Sequence, residues 1–271
     1  MILIKYNPNK IKLDKYYTSK KLAKYCINKT YEIIGETNIS EVIEPSAGNG
    51  SFNLQVPSIC WAYDIEPEHK SIIKQDYLEL NIDYLWGRLV IGNPPYGRCM
   101  NLAQKFFKKS IEIGDYIAFI LPISQLNNVN SLYEFNLIYS EDLGERIYTD
   151  RKLHCCFNIY KRPENKELNK KPINKLKDIK ITRQDSKNYD KALFDIRMCY
   201  WGDGTAGKIL KENENYSGEY KIKIMNKEKH QEIYNFITTF DWNKHFNNIA
   251  MKRIKQWQII DVLLKNIKNI K

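Results

Sequence analysis

The chain has 271 residues, 43% of them hydrophobic, which is enough for one large domain or two modest ones. No apolar run approaches the roughly 20 residues of a membrane-spanning helix. The N-terminus, Met1-Ile-Leu-Ile-Lys-Tyr6, lacks a basic-then-apolar leader, so a cytoplasmic protein is expected. Six cysteines form no CxxC pair and no histidine lies at zinc spacing from one, so reduced thiols are expected and no metal is implied. Net charge is +11, unevenly spread: residues 31–160 carry 10 basic and 17 acidic side chains, residues 161–271 carry 25 and 14. A basic C-terminal third suits a polyanion, although a lysine-rich composition would raise the total by itself.

In chain order, Thr18-Ser19 can cap a helix over Lys20–Ile34 with Leu22, Ala23, Cys26 and Ile27 on one face. Glu41–Glu44 reads as a strand running into Pro45-Ser-Ala-Gly-Asn-Gly50 and a following helix. A second strand over Cys60–Ile65 precedes a helix near Pro67–Lys74, then a loop or short strand at Asp76–Leu80. Arg88–Gly92 is a strand ending in Asn93-Pro-Pro-Tyr96, followed by a helix near Leu102–Ile113 and a buried strand at Tyr116–Pro122. A helix near Leu132–Tyr139 and strands near Arg146–Thr149 and Cys155–Tyr160 complete an α/β pattern, the last two strands antiparallel. The alternation predicts a doubly wound, mostly parallel sheet over residues 1–160. Residues 161–180 read as a linker. Strands over Ala192–Trp201 and Tyr220–Met225, and helices near Lys227–Thr238 and Asn248–Lys268, predict a smaller α+β domain over 161–271.

Asn93-Pro-Pro-Tyr96 carries the most chemistry. The lone pair of an aromatic amine is delocalised into its ring. Accepting both amine hydrogens, by the Asn93 side-chain oxygen and the Pro94 carbonyl, favours a pyramidal and more nucleophilic nitrogen. Pro94 and Pro95 stiffen the backbone that aims these acceptors, and Tyr96 offers a face for a planar ring. The motif ends a strand, where open α/β sheets bind ligands. Gly48 and Gly50 let a turn pass close to a ligand. The turn is neither GxGxxG nor a Walker loop, which disfavours a dinucleotide or a triphosphate. Asp64, 16 positions after Gly48, can accept from ribose hydroxyls. Asp76 can accept from an adenine amino group, with Tyr77 against the ring.

In this order and spacing the pieces resemble the amino-group DNA methyltransferases of the adenine type. The matching segments are Lys15-Tyr-Tyr-Thr-Ser19, Glu44-Pro-Ser-Ala-Gly-Asn-Gly50, Ala62-Tyr-Asp-Ile-Glu-Pro67, Gln75-Asp-Tyr77 and Asn93-Pro-Pro-Tyr96. The resemblance covers residues 15–160 and looks like the gamma arrangement, with target recognition last. Asn93 follows Tyr77 by 16 positions, too few for an inserted recognition domain. The resemblance implies a Rossmann-like fold and S-adenosyl-L-methionine (SAM) as cofactor. Tyr17 and Thr18 would touch its methionine end, Glu44, Ala47 and Gly48 its centre, Asp64 the ribose, and Ile65, Asp76 and Tyr77 the adenine. The family's usual Tyr-Thr-Pro reads Tyr17-Thr18-Ser19 here. Asn93, Pro94, Pro95 and Tyr96 would be catalytic, and Phe157 would match a late-strand aromatic that stacks the flipped base beside Tyr96.

The implied partner is double-stranded DNA, with or without a cognate restriction endonuclease, in a bacterial or phage setting. RNA adenine and release-factor glutamine methyltransferases share the Asn-Pro-Pro-Tyr motif, and an inactive nucleic-acid-binding relative would keep the fold. The basic C-terminal third favours DNA. Within it, Arg197 and Lys208, flanking Tyr200-Trp201 and the turn Gly202–Gly207, are the candidate base readers. The competing reading places Tyr200 and Trp201 in a core beside a plain hairpin.

Overall fold

A computed structural model describes residues 17–148, 151–184, 194–202, 204–214, 216, 218–245 and 253–271. Lys15 and Tyr16 of the first matching segment lie outside them. The chain divides into two compact units, residues 1–171 and 172–271.

The first unit is built on seven strands: β1 (Val42–Glu44), β2 (Cys60–Asp64), β3 (Ile73–Lys74), β4 (Leu89–Gly92), β5 (Tyr116–Pro122), β6 (Asn136–Tyr148) and β7 (Arg151–Lys161). They lie in the order β3-β2-β1-β4-β5-β7-β6. The first five pair in parallel, and β7 runs antiparallel to β5 and β6. Two long helices cover opposite faces: α1 (Lys20–Ile34) and α2 (Asn101–Ile113). Leu22, Ala23, Cys26 and Ile27 of α1 pack with Val42, Leu89, Ile91, Ala118 and Ile120. Ala103, Phe106 and Phe107 of α2 pack with the alternate strand positions Ile43, Val90, Ile117, Phe119 and Leu121. The period-2 alternation of strand side chains therefore feeds two separate cores. This is a doubly wound, mostly parallel Rossmann-like α/β fold.

Three expected helices are absent. Residues 48–55 form successive turns after β1. Residues 66–71 are turns, and the edge strand β3 follows. The helix expected over Leu132–Tyr139 is displaced by β6, whose residues from Asn136 pair with β7. Leu132 and Phe135 have helical spacing, but both point into the α2-side core from an irregular segment. Pairing with a strand distant in sequence overrides that local spacing.

The second unit is an α+β body. Its sheet has the order β8-β10-β9, from β8 (Ile179–Gln184), β9 (Ile196–Cys199) and β10 (Glu219–Ile224), all antiparallel. Helices α3 (His230–Thr239), α4 (Trp242–His245) and α5 (Gln256–Asn266) supply Ile233, Ile237, Trp242, Ile259 and Leu263 to its core. Strand β8 starts at the end of the expected linker. The expected helix over Asn248–Lys268 is described from Gln256 to Asn266. No helix among the described residues is long and apolar enough to cross a membrane.

Candidate functional site

Strands β1, β2 and β3 step one way along the sheet, and β4 and β5 the other. A cleft of about 410 Å³ opens at the carboxyl ends of β1, β2 and β4, where that reversal occurs. Its lining includes Tyr17, Thr18, Glu44, Ala47, Gly48, Asp64, Ile65, Asp76 and Tyr77 together with Asn93 and Pro95.

The turn after β1 is cross-tied. Gly48 has φ +52°, and a Cβ there would lie 2.9 Å from the Tyr17 ring. Its N–H donates to Asp64 Oδ2 at 2.8 Å, and Asp64 Oδ1 accepts from the Glu66 N–H at 2.8 Å. Both oxygens are thus anchored by backbone donors, which fixes the plane of the carboxylate at the rim of the cleft. Tyr17 closes this side by donating to Glu68. Burial and the Glu68 carboxylate both push the Tyr17 hydroxyl far above its usual range, so it remains a donor.

Glu44 ends β1, is buried, and accepts from the Asn53 N–H at 2.8 Å. Burial pushes its carboxyl up to about 8, with a further push from Asp64, against the pull of backbone donors at Phe52 and Asn53. Asp76 caps a short turn by accepting from the Leu78 N–H at 2.9 Å. Tyr77 is a wall residue only: its ring is 1% exposed, stacked on Phe106 at 5.4 Å, with its hydroxyl on Ser110. The neighbouring lining residues Leu78, Leu102 and Phe106 were not anticipated from sequence. The i, i+4 pair Leu102 and Phe106 at the start of α2 was their one sequence signal.

Asn93 follows β4 with its amide oriented from both ends. Its Nδ2 donates to Thr18 Oγ1 at 3.3 Å, and its Oδ1 accepts from the Tyr96 hydroxyl at 2.9 Å. Ser46 donates to the Asn93 carbonyl at 3.2 Å. Ser19 N-caps α1 by accepting from the Leu22 N–H at 3.3 Å. That cap anchors the segment presenting Thr18. Pro94 is buried.

Tyr96 lies outside the first cleft and lines a second cavity of about 340 Å³ with Cys99, Met100, Pro122, Ser124 and Leu153. Gly97 borders both cavities. Burial raises the Tyr96 hydroxyl well above its usual range. The loop below it is strained: Cys99 and Met100 have φ of 53° and 66°.

Two expectations are corrected. Phe157 is 0% exposed, packed in the α1-side core. The β7 residue that reaches the second cavity is Leu153, four positions nearer the strand end and so about 13 Å away along it. Arg197 is 5% exposed and cannot read bases. Its guanidinium is consumed by Glu219 at 2.6 Å and by the carbonyls of Lys211 and Glu214, both at 3.0 Å. Lys208 is exposed but pairs with Glu214 at 2.6 Å. Tyr200 is a core residue, as the competing reading has it, whereas Trp201 is 49% exposed.

No family model matches the chain, and no curated protein is significantly similar to it in sequence. Solved structures are similar at low identity. A Pyrococcus horikoshii chain provisionally named as an RNA methyltransferase is 17% identical, covering 57% of this chain and 89% of its own, at TM-score 0.46. The magnesium protoporphyrin IX methyltransferase of Synechocystis, crystallised with bound SAM, is 10% identical over 53% of this chain and 79% of its own, at TM-score 0.42. A type I restriction-modification methyltransferase subunit from Streptococcus thermophilus is 12% identical, covering 89% of this chain and 60% of its own, at TM-score 0.40.

Proposed function

We propose that this chain is a SAM-dependent DNA methyltransferase acting on the exocyclic amino group of a flipped adenine. The observation that carries the reading is the placement of Asn93. It lines the cleft that also holds Glu44, Gly48, Asp64 and Asp76, and its amide oxygen is hydrogen-bonded to the tyrosine that lines the adjoining cavity. The first cleft is within the roughly 300–1,000 Å³ of small-molecule sites. Its residues fit SAM: Gly48 lets the turn pass under Tyr17, Asp64 presents a backbone-anchored carboxylate at a ribose position, and Ile65 and Leu78 offer apolar contact to a ring. SAM would supply an electrophilic methyl group there.

The second cavity, between Tyr96 and Leu153, would receive the base, which must leave the duplex to reach it. Asn93 Oδ1, held in place by the Tyr96 hydroxyl, would accept one amine hydrogen. The Pro94 carbonyl would take the second hydrogen. Thr18 prevents the amide from turning its NH₂ toward the amine. The surplus amine proton leaves to water, because the raised Tyr96 hydroxyl is a donor and not a base. Catalysis then rests on positioning and electrostatics.

The basic excess of residues 161–271 supports DNA as the substrate, with the second unit in target recognition. A restriction endonuclease partner is compatible with this reading. The test is expression in a methylation-free bacterial host, followed by mapping of modified adenines at single-base resolution. Methylated adenines in one short sequence context are expected. Unmodified DNA from a host containing soluble, SAM-binding protein would overturn the reading.

A further inference from the structure

With Arg197 buried, the second unit presents a different cationic feature. Arg183 of β8 and Arg253, just before α5, both place their guanidinium over the Tyr200 ring, at 4.8 and 5.3 Å. Arg183 Nε also donates to the Tyr200 hydroxyl at 2.8 Å. Neither arginine pairs with a carboxylate among the described residues, whereas Lys208, Lys223 and Arg197 all do. Lys255 adds a third cation nearby: burial and the charge of Arg253 both push its ammonium below the usual lysine range. Tyr200 holds both guanidiniums, and among the described residues no carboxylate offsets them, so an external anion is the complement this pair fits.

Trp201 borders this cluster. Its backbone bridges to Arg253, and the next N–H along, Ile254, donates to the Tyr200 carbonyl at 2.8 Å. Gly218 leaves the space the indole occupies, since a Cβ there would lie 2.2 Å from Trp201 Nε1. The half-exposed indole is therefore seated on the Gly218 backbone, one residue along from the ring that carries the two guanidiniums.

We propose that Arg183, Arg253 and Trp201 form a clamp for the sugar–phosphate backbone of duplex DNA, the arginines taking phosphate oxygens and the indole packing on an adjacent deoxyribose. This rests on the DNA reading above and replaces Arg197 with residues that position DNA rather than read its sequence. Tyr200 braces both guanidinium planes, which lowers the entropy lost on binding. The ligand is polyanionic and extended: two planar cations and an apolar face on one surface match a charged, ridged backbone better than a small anion.

The test uses the full chain and fluorescence anisotropy of a labelled DNA duplex across a salt series, with SAM binding by calorimetry as the check on folding. Arg183→Gln/Arg253→Gln should weaken DNA binding equally across sequences. It should reduce the slope of log affinity against log salt by about 1.8, the loss of two phosphate contacts. Trp201→Ala should weaken binding without changing that slope. If the double variant does not fold, the exposed single variant Arg183→Gln should reduce the slope by about 0.9. A parent that binds duplex DNA, with variants of unchanged affinity and slope, would overturn the clamp and leave the DNA reading standing. A parent that does not bind duplex DNA, or prefers duplex RNA, would overturn both.

Discussion

The charged residues singled out by the sequence are held differently in the two units. In the first, the carboxylates at the strand ends face a cleft and are held by backbone N–H groups: Glu44 by Asn53, Asp64 by Gly48 and Glu66, Asp76 by Leu78. Their positions follow from short local turns, so sequence spacing reports them. In the second, Arg197 is spent on Glu219 inside the sheet, and Arg183 and Arg253, which pair with no carboxylate among the described residues, lie 70 positions apart, meeting on Tyr200. No local spacing reports that meeting. A motif is readable where one turn builds it and unreadable where separate strands do.

Breaking this contrast should cost most at Arg197. Arg197→Ala leaves Glu219, 2% exposed, as a buried unpaired charge, and should lower stability by about 3–5 kcal/mol in urea unfolding. Arg197→Met/Glu219→Leu should recover most of that loss. If Arg197→Ala instead changed site preference at full stability, the division of labour drawn here would be wrong. Asn93→Ala, by contrast, should leave the fold and DNA binding intact and reduce turnover by about 10²–10³-fold, the effect of removing one preorganised polar group. Single-turnover methyl transfer measures it, and near-parental rates would remove Asn93 from the chemistry.

Asp64→Ala removes a charged acceptor and the tie to Gly48, so SAM affinity should fall about 10–100-fold by calorimetry, the worth of a hydrogen bond to a charged group. Unchanged affinity would take Asp64 out of the site. Thr18→Val should reduce turnover about 2–10-fold through loss of one neutral hydrogen bond to Asn93, and Thr18→Ser should restore it. Failure of the serine variant to rescue would mean that the hydroxyl does not orient the amide.

The smallest signal concerns Glu44, whose carboxyl rises from 4.5 to about 8 on folding. The folded state then holds a proton that the unfolded state has lost. The Glu44 contribution to stability should therefore fall as pH rises from about 4.5 to about 8, and level off above that. A sulfonium nearby would favour the ionised carboxylate. SAM binding near neutral pH should thus release a fraction of a proton, read from calorimetry in buffers of different ionisation enthalpy. Glu44→Gln should abolish the release; its persistence would assign the proton elsewhere.

Much of the site was legible because physical constraints act within a few residues. Ser19 is required to cap the helix that follows it, Gly48 to turn under a ring, and an apolar β4 to end at Asn93. Helix α1 matches its expected bounds for the same reason, with Ser19 capping one end and Gly35 closing the other through a bond to the Tyr31 carbonyl. The helix expected near Pro67–Lys74 failed because the segment has little apolar periodicity, and a short turn suffices to reach the edge strand. Arg197 was misplaced as a reader because arginine looks the same in sequence whether buried or exposed.

The residues alone determined helices α1 and α2, the parallel strands β1, β2, β4 and β5, and the strand-end turns that carry Gly48, Asp64, Asp76 and Asn93. These follow from periodicity, capping and turn geometry, all of them short-range. Tertiary structure alone decided that Phe157 is core and Leu153 faces the second cavity, and that Arg183 and Arg253 converge on one ring. Each depends on strand register and burial, set by partners tens of residues away in the chain.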